Sequence, residues 1–294
     1  MNSCHHCPFC PDSGDYQEAK DRAKIPGIVR AFQHETFTVW RCESCGSLHS
    51  KEDVNLPLYY EGYPFAQHKL DFWSRVAYRK RTRDLVKQGI QKHHKILDYG
   101  CGAGVFVQYL RDQGYIHAVG YDPYVADFAE PARLQEQYDA VLAQDVIEHA
   151  DDPRVMLQEI LNCLNADGLL YLGTPLANRI RLKQHERFAM SLHQPYHRHI
   201  FSLKALLDLT RSYGLRVTGL SQRHCTDTLT PTVNTRFLHE FIRAGGNVVD
   251  VGFEPPPPDL FKSHPKLLLF AFFGYFFSQR SELSGYFRRS LAGT

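Results

Sequence analysis

The chain has 294 residues, 43% of them hydrophobic and 22% charged, which excludes a disordered, collagen-like or coiled-coil chain. Lys and Arg number 34 against 32 Asp and Glu, a formal charge of +2, so the surface as a whole is not built for nucleic acid and only a local basic patch is open.

Met1 to Pro11 carries three cysteines where a charged stretch and an apolar run would mark a secretory signal, and a reducing cytoplasmic location is expected. Five of the eight cysteines fall within the first 45 residues. Cys7-Pro8-Phe9-Cys10 and Cys42-Glu43-Ser44-Cys45-Gly46 are two CxxC knuckles separated by 31 residues that include the strand-like run 35–41. In each, a tight turn brings two thiolates to one side, and Gly46 lets the backbone curl under the second sulfur. Two such knuckles close a tetrahedron, so Cys7, Cys10, Cys42 and Cys45 are expected to hold a structural zinc. Four sulfur ligands leave no position for chemistry. Cys4, His5, His6 and His49 compete as ligands, and disulfides are the alternative that a reducing compartment disfavours.

Residues 69–95 have helical spacing, with Phe72, Val76, Leu85 and Val86 on the expected inner face, and nine Lys/Arg against Asp71 and Asp84. The charge reads first as the solvated face of a linker helix and second as a phosphate-binding surface.

A short apolar strand then runs into Gly100-Cys101-Gly102-Ala103-Gly104, followed by helical spacing from Val105 to Gln113. Glycines there let the backbone approach a ligand at the carboxyl end of a first strand. A second apolar strand, 116–121, ends in Asp122, 18 residues past Gly104. An acid at that place can accept both ribose hydroxyls of an adenosine cofactor.

The GxGxG spacing of ILDYGCGAG, with YDP at 121–123, YDAVLAQDVIEH at 138–149 and NADGLLYLGTP at 165–175, resembles class I S-adenosylmethionine-dependent methyltransferases over about residues 60–220. CPxC, WxCxxCG and the YYxxY-like run at 59–63 further resemble the zinc-ribbon subgroup, which includes sugar C-methyltransferases and natural-product enzymes. The resemblance implies an α/β, doubly wound Rossmann-like sheet with an N-terminal zinc ribbon. It implies that Asp98 lies near the methionine amino group, that Gly100, Gly102 and Gly104 admit the amino-acid moiety, that Asp122 holds the ribose, and that Gln144 and Asp145 border the sulfonium. Only 16 residues separate Asp122 from Asp139, so the family's third strand and its adenine-contacting acid are shortened or missing.

Methyl transfer is an in-line displacement that depends mostly on alignment and needs a base only for a hydroxyl or carbon acid. Histidines titrate in the right range. Glu148 and His149 are catalytic candidates: the run from Asp145 to His149 resembles the D/E-x-x-E-H stretch of ubiquinone-pathway O-methyltransferases, which has been linked to a divalent cation. The bland reading is that both residues brace the next helix. His197, in the group His193, Tyr196, His197 and His199, is the third candidate, placed where such folds build a wall over the substrate.

A serine-capped helix over 202–213 and a strand over 215–220 complete the sheet. Pro255 to Pro258 is a stiff spacer that marks a boundary, and the apolar run Leu267 to Phe277 is too short to span a bilayer. That run is expected to pack on the domain or on a second copy in a homodimer, with peripheral membrane contact as the alternative. The expected division is a ribbon at 1–58, a methyltransferase domain at 59–254, and a spacer with a helical tail at 255–294. The expected activity is methyl transfer to a small-molecule acceptor, a sugar nucleotide, natural product or lipid-like compound. An RNA methyltransferase and a non-catalytic scaffold are the alternatives.

Overall fold

The computed structural model describes residues 5–10 and 14–290, apart from the side chain of Gln67. Among the described residues the strands are β1 (Arg22–Pro26), β2 (Thr36–Arg41), β3 (Leu48–Ser50), β4 (Ile96–Tyr99), β5 (Ala118–Tyr121), β6 (Tyr138–Gln144), β7 (Leu164–Pro175), β8 (His199–Ile200), β9 (Leu215–Ser221) and β10 (Glu282–Arg289). The longer helices are α1 (Phe72–Lys87), α2 (Val105–Asp112), α3 (Pro153–Asn162), α4 (Leu203–Ser212), α5 (Thr235–Ala244) and α6 (Lys266–Phe273). The chain divides into two compact units. One comprises the chain up to Pro64 with Pro175–Ala205 and Thr226–Ser281; the other comprises Phe65–Thr174, Leu206–Cys225 and the chain from Glu282.

The first unit is built on a four-stranded sheet of order β1-β2-β3-β8. Strand β2 is rich in aromatic and β-branched residues, as strands prefer, and buries Phe37, Val39 and Trp40. Its last residue, Arg41, gathers the later chain: the guanidinium donates to the Asp21 carboxylate and to the carbonyl oxygens of Gly46, Ala177 and Ile180. Strand β8 joins through the antiparallel pair His49 and His199, and Ile25, Val39, Leu48, Leu192 and Ile200 share one core. The four prolines do not mark a boundary, because residues on both sides of them belong to this unit. Glu254, just before them, forms a two-pronged ion pair with Arg30 at 2.7 and 2.8 Å.

The second unit holds a six-stranded sheet of order β5-β4-β6-β7-β10-β9. Strands β4, β5, β6 and β7 run parallel, and the apolar sequences of β4 and β6 fit strands covered on both faces. The sheet ends at β5, and a 3-10 turn at Pro131–Gln135 occupies the short connection to β6. This agrees with a missing third strand. Strand β10 replaces the tail expected to be helical: Glu282–Arg289 pairs antiparallel with β9, with a shift of register between Tyr286 and Phe287. Helix α1 is capped by Asp71, which accepts from the Ser74 amide. Its inner face is Ser74, Ala77, Arg81 and Leu85, whereas Phe72 and Val86, expected inside, are exposed. The i, i+3, i+4 stripe was offset because an arginine occupies its centre.

Candidate functional site

The loop after β4 places three glycines in left-handed conformation, with φ of 73° at Gly100, 52° at Gly102 and 69° at Gly104. At Gly100 a Cβ would meet Val146 at 2.4 Å, and at Gly104 it would meet the Phe128 ring at 2.2 Å. Gly102 differs, since nothing lies within 4 Å of its Cβ position, and the loop is open there. Asp122, at the end of β5, accepts from the Gly102 amide at 2.9 Å and from the Tyr124 amide at 2.9 Å. Its carboxylate therefore fixes the loop and keeps acceptor capacity on both oxygens.

Asp98 on β4 is 5% exposed and Arg81 on α1 is 4% exposed, with Nη2 and Oδ1 3.6 Å apart. The guanidinium lies between two rings, 4.1 Å from the Phe106 centroid and 4.9 Å from that of Tyr171. Its Nε and Nη2 lack hydrogen-bond partners, a costly state for a buried cation. Burial, opposed by Arg81 and reinforced by Asp122, pushes Asp98 up to about 6. A buried acid and a buried cation with donors to spare, next to an open glycine loop, fit the two charges of an amino-acid group. The donor set thus suits S-adenosylmethionine at its methionine end.

At the end of β6, Asp145 has φ 54°, a strained value of the kind that recurs at functional sites. Its Oδ2 lies 3.3 Å from His224 Nε2, and its Oδ1 accepts from Gln144 Nε2 at 2.9 Å. Gln144 Nε2 is also 3.0 Å from His224 Nε2, and Gln144 Oε1 accepts from the Tyr171 hydroxyl. Cys225 Sγ approaches His224 Nδ1 at 3.7 Å. Burial works to lower the imidazole, but Cys225 and Asp145 outweigh it and raise His224 well above its ordinary value. Gln144, Asp145 and His224 thus form one connected group.

Glu148 and His149 follow in the short turn Ile147–His149. Glu148 is fully buried; burial first and Asp145 second push its carboxyl far up. Asp145 faces His224, while a carboxylate oxygen of Glu148 and a ring nitrogen of His149 lie within 4.8 Å of each other. His197 belongs to the first unit, where its Nδ1 lies 2.9 Å from the Ser191 carbonyl oxygen and its ring stacks on His193. There the Tyr196 hydroxyl donates to the Tyr59 carbonyl, and His199 Nδ1 is 2.9 Å from His49 Nδ1. Arg81 and His224 escaped the reading of the sequence. Arg81 sits among basic residues, and only its spacing from Ala77 and Leu85 on one helical face could have marked it.

The cysteine cluster also forms in the first unit. The sulfurs of Cys7, Cys10, Cys42 and Cys45 all lie within 4.8 Å of one another, with Cys7 and Cys45 3.6 Å apart. A tetrahedron with metal–sulfur bonds of about 2.3 Å has edges of about 3.8 Å, and a disulfide would need about 2.05 Å. A Cβ on Gly14 would lie 2.6 Å from Cys42 Sγ, so the loop closes on the cluster only with glycine there. Hydrogen bonding from Cys7 pulls Cys45 down to about 3, while the same contact pushes Cys7 far up. The four sulfurs and their spacing fit a zinc ion. Cys4 lies outside the described residues.

Comparison with known proteins bears on this sheet and loop. A family model described as a methyltransferase domain matches residues 69–220, just over half the chain. The chain belongs to that methyltransferase family. It is similar to the ubiquinone biosynthesis O-methyltransferase of Bradyrhizobium diazoefficiens, 27% identical over 126 residues, covering 36% of this chain and 49% of that protein. The corresponding enzyme of Dinoroseobacter shibae is 28% identical over 127 residues, covering 36% and 51%. The chain spans about half the length of the curated relatives it matches. Among solved structures, an S-adenosylmethionine dependent methyltransferase from Mesorhizobium loti superposes with a TM-score of 0.41 at 12% identity, covering 70% of this chain and 96% of that one. Among the described residues no helix is long and apolar enough to cross a membrane.

Proposed function

We propose that the protein transfers a methyl group from S-adenosylmethionine to a hydroxyl of a small-molecule acceptor. The observation that carries the reading is the open, left-handed glycine loop tied by Asp122, with the connected Gln144, Asp145 and His224 in the same unit. The names of the two curated relatives support an oxygen acceptor. When bound, S-adenosylmethionine supplies an electrophilic methyl on a sulfonium. Asp98 accepts from the ligand ammonium and Arg81 donates to its carboxylate, which holds the amino-acid end. Gly102 leaves the backbone open, and Asp122 accepts from the ribose hydroxyls. His224 takes the acceptor's proton, and Asp145 stabilises the resulting imidazolium. Gln144, anchored by Tyr171, keeps Asp145 and His224 in register. His149 is the second candidate for the base. Cys7, Cys10, Cys42 and Cys45 hold zinc, which supplies structure only.

Calorimetric titration with S-adenosylhomocysteine tests the reading. Wild-type protein binds, and Asp122→Ala weakens binding about tenfold or more, since the charge-assisted bond to the Gly102 amide of the loop is lost with the ribose acceptor. A folded, zinc-loaded wild type that does not bind would overturn it.

A further inference from the structure

Helix α6 has two apolar faces with different surroundings. Leu267, Phe270 and Ala271 are buried, at the spacing of one helical stripe. Leu268, Leu269, Phe272, Phe273, Phe276 and Phe277, on the rest of the helix and the turn Gly274–Phe277, are 47 to 69% exposed. Six large apolar side chains within ten residues are far more than the scattered exposure normal on a surface, and such patches mark interaction sites.

Beside them lies a cavity of about 400 Å³ whose lining includes Arg187, Arg236, Arg243 and Lys266 along with Phe270 and Phe277. Its one acid, Glu240, is shared between Arg236 at 2.7 Å and Arg243 at 2.5 Å. Four cations against one anion leave a formal excess of three positive charges in the lining. Arg236 is 13% exposed, stacks 4.5 Å from the Phe270 centroid, and has a buried Nε without a hydrogen-bond partner. Burial, with Arg187 and Arg243 nearby, holds its guanidinium below the usual value despite Glu240. The cavity is short of an anion.

The occupant must answer both features. A second copy in a two-fold contact would bring the same cation cluster against itself, and an uncharged apolar partner would leave the arginines unanswered. An anionic lipid surface offers acyl chains to the phenylalanines and phosphates to the arginines at the same depth. We propose that this face docks on an anionic bilayer, with the exposed side chains of α6 and the following turn inserted below the headgroups and a lipid phosphate held in the arginine-lined cavity. Apart from Arg187, the surface lies outside the matched methyltransferase region, and it acts independently of the proposed transfer.

The full chain should co-sediment with vesicles of phosphatidylglycerol and phosphatidylcholine and stay in the supernatant with phosphatidylcholine alone. Arg187→Gln with Lys266→Gln, both exposed, removes two charges and should weaken partitioning about 30-fold at low salt. Phe272→Ser with Phe276→Ser should weaken it about tenfold or more, with unchanged melting temperatures showing that both pairs fold. Absence of wild-type binding, equal binding to neutral vesicles, or indifference to either pair of substitutions would overturn the proposal. So would a dimer that the phenylalanine substitutions dissociate while vesicles go unbound, or inorganic phosphate raising the melting temperature when vesicles do not bind.

Discussion

Asp98 should make cofactor binding depend on pH in a way that follows from its surroundings. It is 5% exposed and stands near 6 instead of 3.8, chiefly through burial. A ligand ammonium pairs with the carboxylate and not with the neutral acid, so affinity follows the ionised fraction of the free protein. For a group at about 6 that fraction is about 9% at pH 5 and about 91% at pH 7. The affinity for S-adenosylhomocysteine should therefore rise about tenfold over that range, ~1.4 kcal/mol, with nearly one proton released per ligand at pH 5. Calorimetry in two buffers of different ionisation enthalpy reads both quantities, and Asp98→Asn should flatten the profile. Stability moves the other way. Because the folded value lies above the unfolded one, this group's contribution is fully present below about pH 4 and is lost as pH rises through about 6, at most ~3 kcal/mol. Wild-type affinity that is constant from pH 5 to 7, or an Asp98→Asn protein with the same slope, would refute the placement of the ammonium at Asp98.

The remaining expectations concern the base, the metal and the division of the chain. His224→Gln should lower kcat about 100-fold or more with S-adenosylhomocysteine affinity retained; unchanged turnover would remove it as the base. Since a raised His224 must lose its proton to act, kcat should climb with pH through that raised value. Cys225→Ala, by removing a contribution that raises it, should move the climb to lower pH; a fixed pH profile would show that the pair does not govern it. Purified protein should carry one zinc per chain by elemental analysis, and Cys42→Ser should cost several kcal/mol in thermal or denaturant melting. Full stability without metal would refute the site. Deleting residues 1–58 should leave a chain that aggregates or melts without a cooperative transition, because β8 loses β3 and the core around Leu192 and Ile200 is opened; a cooperative melt would argue against that dependence.

Local signals in the sequence reached as far as local interactions fix structure. The glycine loop, Asp122 and the strands around them were legible because left-handed turns and short apolar runs are dictated by neighbouring residues. The CxxC knuckles were legible because metal geometry constrains spacing, and the close sulfurs bear out the shape of the cluster. His224 carried no such mark. Its partner Asp145 is 79 residues away, and the strand that precedes it, β9, reads as an ordinary sheet edge. The tail was misjudged because Glu282–Arg289 follows an aromatic helical run, while its strand character comes from pairing with β9.

The division of the chain was illegible for a related reason. The sequence suggests three successive blocks, yet each compact unit is assembled from three separated segments. What recruits Pro175–Ala205 to the first unit is a set of backbone carbonyls and one short strand: Arg41 bonds Ala177 and Ile180, and His49 pairs with His199. None of these partners is unusual in composition, so no shift in composition marks the joins. The proline run shows the converse case, a conspicuous local signal with no tertiary consequence, since Arg30, Asp250 and Glu254 tie its preceding stretch back into the same unit. Knuckles and loops are written into neighbouring residues, whereas membership of a compact unit is decided by a few long-range hydrogen bonds. The cysteine cluster therefore matters beyond its own knuckles. It holds the turn after Arg41, and so the sheet edge on which β3 receives β8.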